Sequence, residues 1–160
     1  MRKLYRLIQA YFKPKPNEES ELSWKKEISL ELLNNSRVKT MVDRIGIRFT
    51  DIGEDTITAS MPVDERTHQI YGLLHGGASA ALVETLGSVA ATFSVPEKQY
   101  CVGVEINTNH VKSVKTGKVY GTAKPIHRGS MIQVWQVDIV SEDNKLVSTG
   151  RITLAVLTQK

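Results

Sequence analysis

The apolar positions of the chain fall into one long continuous stretch and a series of shorter alternating ones. Gly76 to Ser94 is rich in Ala and Leu, lacks proline and has apolar residues on all sides, which predicts a helix buried in the middle of a domain. Ahead of it, Ile45–Ile52 and Thr56–Val63 read as a strand pair around a turn at Gly53. Thr56 to Val63 alternates polar and apolar, as a strand with one buried face does. A short helix is expected over Ile28–Asn34, where Ile28, Leu32 and Leu33 share a face, and Asp64–Gly72 reads as a polar loop. After Pro96, four strands are expected at Tyr100–Asn109, Gly117–Ile126, Ile132–Ser141 and Leu146–Leu157. Gly117, Gly129 and the cluster Glu142–Lys145 mark the turns. In the third of these strands Trp135, Val137 and Ile139 share one face, and Val134, Gln136, Asp138 and Val140 the other. One long helix between a hairpin and a meander of about four strands is an α+β pattern, solved by an antiparallel sheet curled around the helix.

The first 25 residues read differently from the rest. Met1–Phe12 places Leu4, Leu7, Ile8, Tyr11 and Phe12 at helical spacing, with Arg2, Lys3 and Arg6 elsewhere on the wheel. This predicts a basic amphipathic helix that packs on its own domain or a neighbouring subunit, or touches a membrane. It lacks the apolar core and cleavage site of a secretory signal. Lys13-Pro-Lys-Pro16 ends it, and Asn17–Glu21 reads as a linker. The expected organisation is an extension over 1–25 and one domain over 26–160.

Charge changes the picture only after division. Five of the 21 basic residues lie in 1–16 with no acid among them, leaving 16 basic against 17 acidic residues, a net of −1, in the remainder. A body of that balance is no nucleic-acid binder. The single cysteine, Cys101, excludes an internal disulfide and suits a reducing compartment such as the cytoplasm. It reads as a small core residue. No apolar run reaches the roughly 20 residues of a membrane span.

Within the central stretch Glu84 is the only charge between His75 and Glu97. Burying an ionised carboxylate without a partner is costly, so something must use or neutralise it. Ser88 follows four residues later on the same helix face. Gly76 and Gly77 stand where the helix begins, and a helix-start N–H at a glycine is an open donor to a carbonyl oxygen gaining charge. That donor, the Glu84 carboxylate and the polar Gln69, His75 and Ser88 are the parts of an acyl-transfer site. Gly76 and Glu84 are eight residues apart, roughly 12 Å along one helix, so they cannot meet the same carbonyl within one chain. If both act, two helices run antiparallel across a dimer interface. His68, His75 and Glu84 match no compact metal pattern, so no metal is expected.

The segment Asp64–Ala91, with Gln69, His75-Gly76-Gly77, Glu84 and Ser88 at these spacings, resembles the hotdog-fold acyl-CoA thioesterases. It is most similar to the branch with the Arthrobacter-type 4-hydroxybenzoyl-CoA and the 1,4-dihydroxy-2-naphthoyl-CoA thioesterases, the latter of menaquinone synthesis. The likeness continues through Val102–His110, Gly117-Lys-Val119, Ile132–Gln136 and Arg151-Ile-Thr153, and spans roughly 42–157. It implies an antiparallel sheet around a central helix, and homodimers that often pair into homotetramers. It further implies Glu84 as nucleophile or general base, a carbonyl-polarising Gly76 N–H, and no metal or organic cofactor. Gln69 and Ser88 would position the reacting groups, and His75 would shape the loop or contact the thioester. Coenzyme A is expected near Gly103, His110, Val111, Lys112 and Ser113, and near His127, Arg128, Gly129, Ser130 and Met131. Lys112, His127 and Arg128 suit its phosphates. Relatives often carry a basic residue where this chain has Ser130. A flat aromatic acyl group is expected, with fatty acyls and stray carrier-protein thioesters open. Two other readings stay open: a thioester dehydratase or hydratase using His75 with Glu84, and an acyl-CoA-binding protein without turnover.

Overall fold

The computed structural model of the chain describes residues 24–35 and 39–159. The amphipathic helix and linker expected in 1–21 lie outside the described residues. The elements are α1 (Leu30–Asn34), α2 (Met41–Arg44), β1 (Arg48–Ile52), β2 (Ile57–Pro62), α3 (Gly76–Phe93), β3 (Gln99–His110), β4 (Lys118–Arg128), β5 (Ile132–Ser141) and β6 (Leu146–Thr158). They form a six-stranded antiparallel sheet of order β1-β2-β4-β5-β6-β3 with α3 on its concave face.

Local chemistry sets the small departures from the expected elements. Helix α1 starts at Leu30 because Ser29 caps it, its Oγ accepting the Leu32 N–H at 3.1 Å. The residues expected to open the first strand are the exit of α2, a turn that the sequence reading did not include. There Ile45 N–H donates to Met41 O and Gly46 turns the chain at φ 75°. Ser94 ends α3 as its C-cap.

One topological expectation is corrected. The strands after Pro96 are not a four-strand meander: β4, β5 and β6 are, whereas β3 leaves the helix and pairs with β6, from Gln99↔Thr158 to His110↔Ser148. Alternation tells which face of a strand is buried, not which strand lies beside it. The sheet therefore wraps α3 with the β1–β2 hairpin at one edge and β3 at the other.

The core is the concave face against one side of α3. Ile57, Ala59, Met61, Val119, Ala123, Trp135, Val137, Ile139, Ile152 and Leu154 meet Leu82, Val83, Leu86, Ala90 and Ala91, all buried. Helix and sheet approach closely at Gly87, where a β-carbon would stand 2.3 Å from Ile152 Cγ2. At the C-terminal end of α3, Trp24 stacks on Trp135 with ring centroids 6.3 Å apart and donates from Nε1 to Gly53 O at 2.9 Å. Cys101 faces this core, and burial pushes its thiol pKa up.

Strand β3 is the exception to burial. Twelve residues long and paired on one side only, it exposes Val102, Val104 and Ile106. A long apolar edge strand with a free row of N–H and C=O groups is a template for another chain.

Candidate active site

The site begins at the start of α3. His75 is the N-cap, in extended conformation, and its Nδ1 accepts the Gly77 N–H at 2.7 Å. As an acceptor Nδ1 carries no proton, so the proton of the neutral ring is on Nε2. The Ala78 and Ser79 N–H groups go to His75 O at 2.9 and 3.2 Å. Gly76 is thus left with the one first-turn N–H that has no acceptor among the described residues. The preceding loop is held by His75 N–H to Thr67 O and Leu74 N–H to Val114 O, both 2.8 Å, and by Thr67 Oγ1 to Pro62 O at 2.8 Å. Gln69 braces the same loop, its Oε1 accepting the Tyr71 N–H.

A cavity of about 380 Å³ opens at this helix end. Gln69, Gly76, Ser79, His110, Lys112, Ser113 and four aliphatic residues, Leu73, Leu74, Val111 and Val147, line it. The His110 ring sits on Gly76, where a β-carbon would stand 2.7 Å from Nε2. Ser148 Oγ lies 3.2 Å from its Nδ1 and Thr108 Oγ1 lies 3.3 Å from its Nε2. Glycine at 76 therefore serves the close approach of the ring as well as the open N–H.

Glu84 stands two turns further along α3, half-buried. Ser88 Oγ–H donates to its Oε1 at 3.0 Å, as the spacing of four predicts. Its carboxylate lies against Gly103, where a β-carbon would stand 2.8 Å from Oε1. Gly103, expected from the resemblance beside coenzyme A, is thus in contact with Glu84.

One chain does not bring the expected site together. Gly76 touches His110 and Glu84 touches Gly103, seven residues apart on β3, roughly 23 Å at strand rise. Glu84 does not line the cavity. The two stretches expected to hold coenzyme A also part company. His110–Ser113 lie at the cavity, while His127–Met131 form the β4–β5 turn at the opposite end of the sheet, where Arg128 pairs with Gln133 and Val156 N–H donates to Met131 O. Gly129 shapes this turn and donates its N–H to Ile132 O; Ser130 and Met131 are exposed.

Near the cavity Lys112 Nζ lies 3.7 Å from Asp143 Oδ2, a carboxylate that Lys145 also meets at 2.6 Å. The Lys145 and Ser141 hydrogen bonds, joined by the Lys112 charge, hold Asp143 well below the usual carboxylate range. Among the described residues no three or more His, Cys, Asp and Glu side chains gather as metal ligands. None of their helices is long and apolar enough to cross a membrane.

The sequence reading passed over Ser79 and Ser148. Ser79 was within reach, three residues after Gly76 on the same helix face. Ser148 reaches His110 only through the β3–β6 pairing, which no local pattern carries.

The chain has relatives among known proteins. The family described as Thioesterase superfamily matches residues 71–148. The chain is 50% identical over 134 residues to the 1,4-dihydroxy-2-naphthoyl-CoA hydrolase of Escherichia coli, covering 84% of this chain and 98% of the relative. It is 46% identical over 134 residues to the proofreading thioesterase EntH of Cronobacter sakazakii, covering 84% and 98%. A crystal structure of a thioesterase from Haemophilus influenzae matches with TM-score 0.83 at 48% identity, covering 85% of this chain and 95% of that one.

Proposed function

The chain belongs to the thioesterase superfamily and has its hotdog fold, and we propose that it hydrolyses aromatic acyl-CoA thioesters at sites shared between two copies of itself. The observation that carries the reading is the pair of contacts along β3, Gly76 on His110 and Glu84 on Gly103. A two-fold axis between Ile106 and Asn107 would pair the free β3 edges antiparallel and set Gly103 of one copy opposite His110 of the other. Glu84 of one chain then stands beside the open Gly76 N–H of its partner. The same operation brings the β4–β5 turn of one copy toward the Lys112 end of the other, uniting Lys112, His127 and Arg128 around one polyanionic coenzyme. The apolar residues Tyr100, Ile132 and Leu157 remain exposed and leave a face on which two dimers associate into a tetramer.

In the reaction R–CO–S–CoA and water become the carboxylic acid and free CoA. Gly76 N–H donates to the thioester oxygen, which gains charge as the carbonyl carbon becomes tetrahedral. Glu84, oriented through Oε1 by Ser88, either takes a proton from the attacking water or attacks the carbonyl carbon itself, the resulting anhydride then being hydrolysed. The CoA thiolate leaves and takes up the proton. The Gln69 amide faces the cavity to position water or the acyl carbonyl, and His75 holds the helix start in place. No metal or organic cofactor takes part.

The 50% identity to a 1,4-dihydroxy-2-naphthoyl-CoA hydrolase supports an aromatic acyl group and a place in menaquinone synthesis. The likeness to EntH supports a second substrate class, stray thioesters removed by proofreading. The test is thiol release from a panel of aromatic and aliphatic acyl-CoA thioesters, with wild type beside Glu84→Gln. Wild-type turnover that falls at least about 10²-fold in the variant is the expected outcome. Enoyl formation without thiol release would point to a dehydratase, and tight binding without turnover to an acyl-CoA-binding protein.

A further inference from the structure

Hydroxyl groups on α3 are satisfied with one exception. Thr85 Oγ1–H donates to Ala81 O at 2.7 Å, Ser88 to Glu84, and the C-cap Ser94 to Ala91 O and Gln133 Oε1 at 2.8 and 3.0 Å. Ser79 is 2% exposed, yet its hydroxyl has no hydrogen-bond partner among the described residues. It lines the cavity at the start of the helix. No fully enclosed side-chain polar atom among the described residues lacks a partner, so the Ser79 oxygen, which has none, opens onto that cavity.

A hydroxyl that ends on a cavity wall with no protein partner is open to a ligand, and the helix does not need it here, since Ala78, Ala80 and Ala81 surround it. Ser79 also stands three residues after Gly76, on the same helix face. The His75 cap consumes the other first-turn N–H groups and leaves Gly76 as the single backbone donor. Stabilising a carbonyl oxygen as it becomes an oxyanion commonly takes more than one donor.

We propose that the Ser79 hydroxyl is a second donor to the thioester oxygen, completing with the Gly76 N–H a two-point oxyanion hole. This rests on the thioesterase reading above. The Ser79 O–H supplies a hydrogen bond that strengthens as the oxygen gains charge, and no proton is transferred from it. Gln69 keeps its Oε1 on the Tyr71 N–H and has its amide Nε2 left for water or the acyl carbonyl, and His110 is engaged by Ser148 and Thr108.

The experiment compares wild type, Ser79→Ala and Glu84→Gln on the best thioester of the panel. Ser79→Ala is expected to raise KM about tenfold and to lower kcat about tenfold, because the hydrogen bond is made to the bound thioester oxygen and strengthens as that oxygen gains charge. A paired binding measurement separates this from a change in pocket shape. The probes are two inert CoA analogues, an aryl ketone with a methylene in place of the thioester sulfur bond and its counterpart lacking the carbonyl. Ser79→Ala should weaken the ketone by about tenfold and leave the other unchanged. Should alanine not fold, Ser79→Cys keeps the volume with a weaker donor and gives the same comparison. Equal loss for both analogues, or unchanged kcat beside an inactive Glu84→Gln, overturns the Ser79 role while the thioesterase reading stands. A wild type that cleaves no thioester overturns both.

Discussion

Glu84 Oε1 and Gly103 are in contact across the helix–strand interface, so close that a β-carbon on Gly103 would stand 2.8 Å from the carboxylate. The strand fixes the reach of the acid, and only glycine lets it lie there. The other consequence is that a methyl group placed on β3 reports on the position of a side chain on α3.

Gly103→Ala tests this contact. The carboxylate is the end of a flexible side chain, so it yields by moving and the fold is little disturbed. Displacement by about 1 Å costs up to about 10²-fold in kcat. Steady-state kinetics and thermal melting on the same sample check both halves. An active Gly103→Ala enzyme would remove the contact from the mechanism.

The proposed sharing of the site between two copies predicts complementation between inactive chains. A Gly76 variant that has lost its activity and Glu84→Gln are each inactive alone. Mixed and allowed to exchange subunits, they form heterodimers in which one of the two sites has both native groups. Random assortment at equal amounts restores about a quarter of wild-type activity. Sites confined to one chain would restore none.

Lys112 is held loosely by Asp143 at 3.7 Å and faces the cavity mouth. In the proposed role of phosphate ligand it would bind ground state and transition state alike. Lys112→Ala should raise KM for acyl-CoA about tenfold and leave kcat unchanged. A truncated pantetheine thioester, which has no nucleotide phosphates, should show no such penalty. Equal effects on both substrates would exclude the phosphate role.

Asp143 carries a pH signature. Its folded-state pKa is depressed, chiefly by the Lys145 hydrogen bond and then by Ser141. Its stabilisation is therefore present above the ordinary aspartate range and lost as the pH falls through the folded-state value. Asp143→Asn should melt slightly below wild type at neutral pH, with the gap closing in strong acid. Solvent screening at this exposed turn keeps the effect small. Melting curves from pH 7 to pH 2 measure it, and a gap that widens in acid would contradict the assignment.

Cys101 is buried, and burial raises its thiol pKa. Less thiolate and little access predict modification by a thiol-specific dye at least about tenfold slower in the native than in the denatured protein. Equal rates would show that this end of β3 opens readily.

What could be read along the chain is what short-range physics decides. The glycine pair at a helix start, the Glu84–Ser88 spacing and the alternation of Trp135, Val137 and Ile139 are set within a few residues, so the helix, its acid and the buried strand faces were legible. The separation of Gly76 from Glu84 followed from the helical rise alone. The neighbours of β3 were not legible, because a period of two specifies a face and carries no record of a partner strand. Only the folded chain set β3 beside β6, and with it Gly103 on Glu84, His110 on Gly76 and Ser148 behind His110. These contacts join residues tens of positions apart, and what selects them is packing the sheet around the helix, which no segment of the sequence holds by itself.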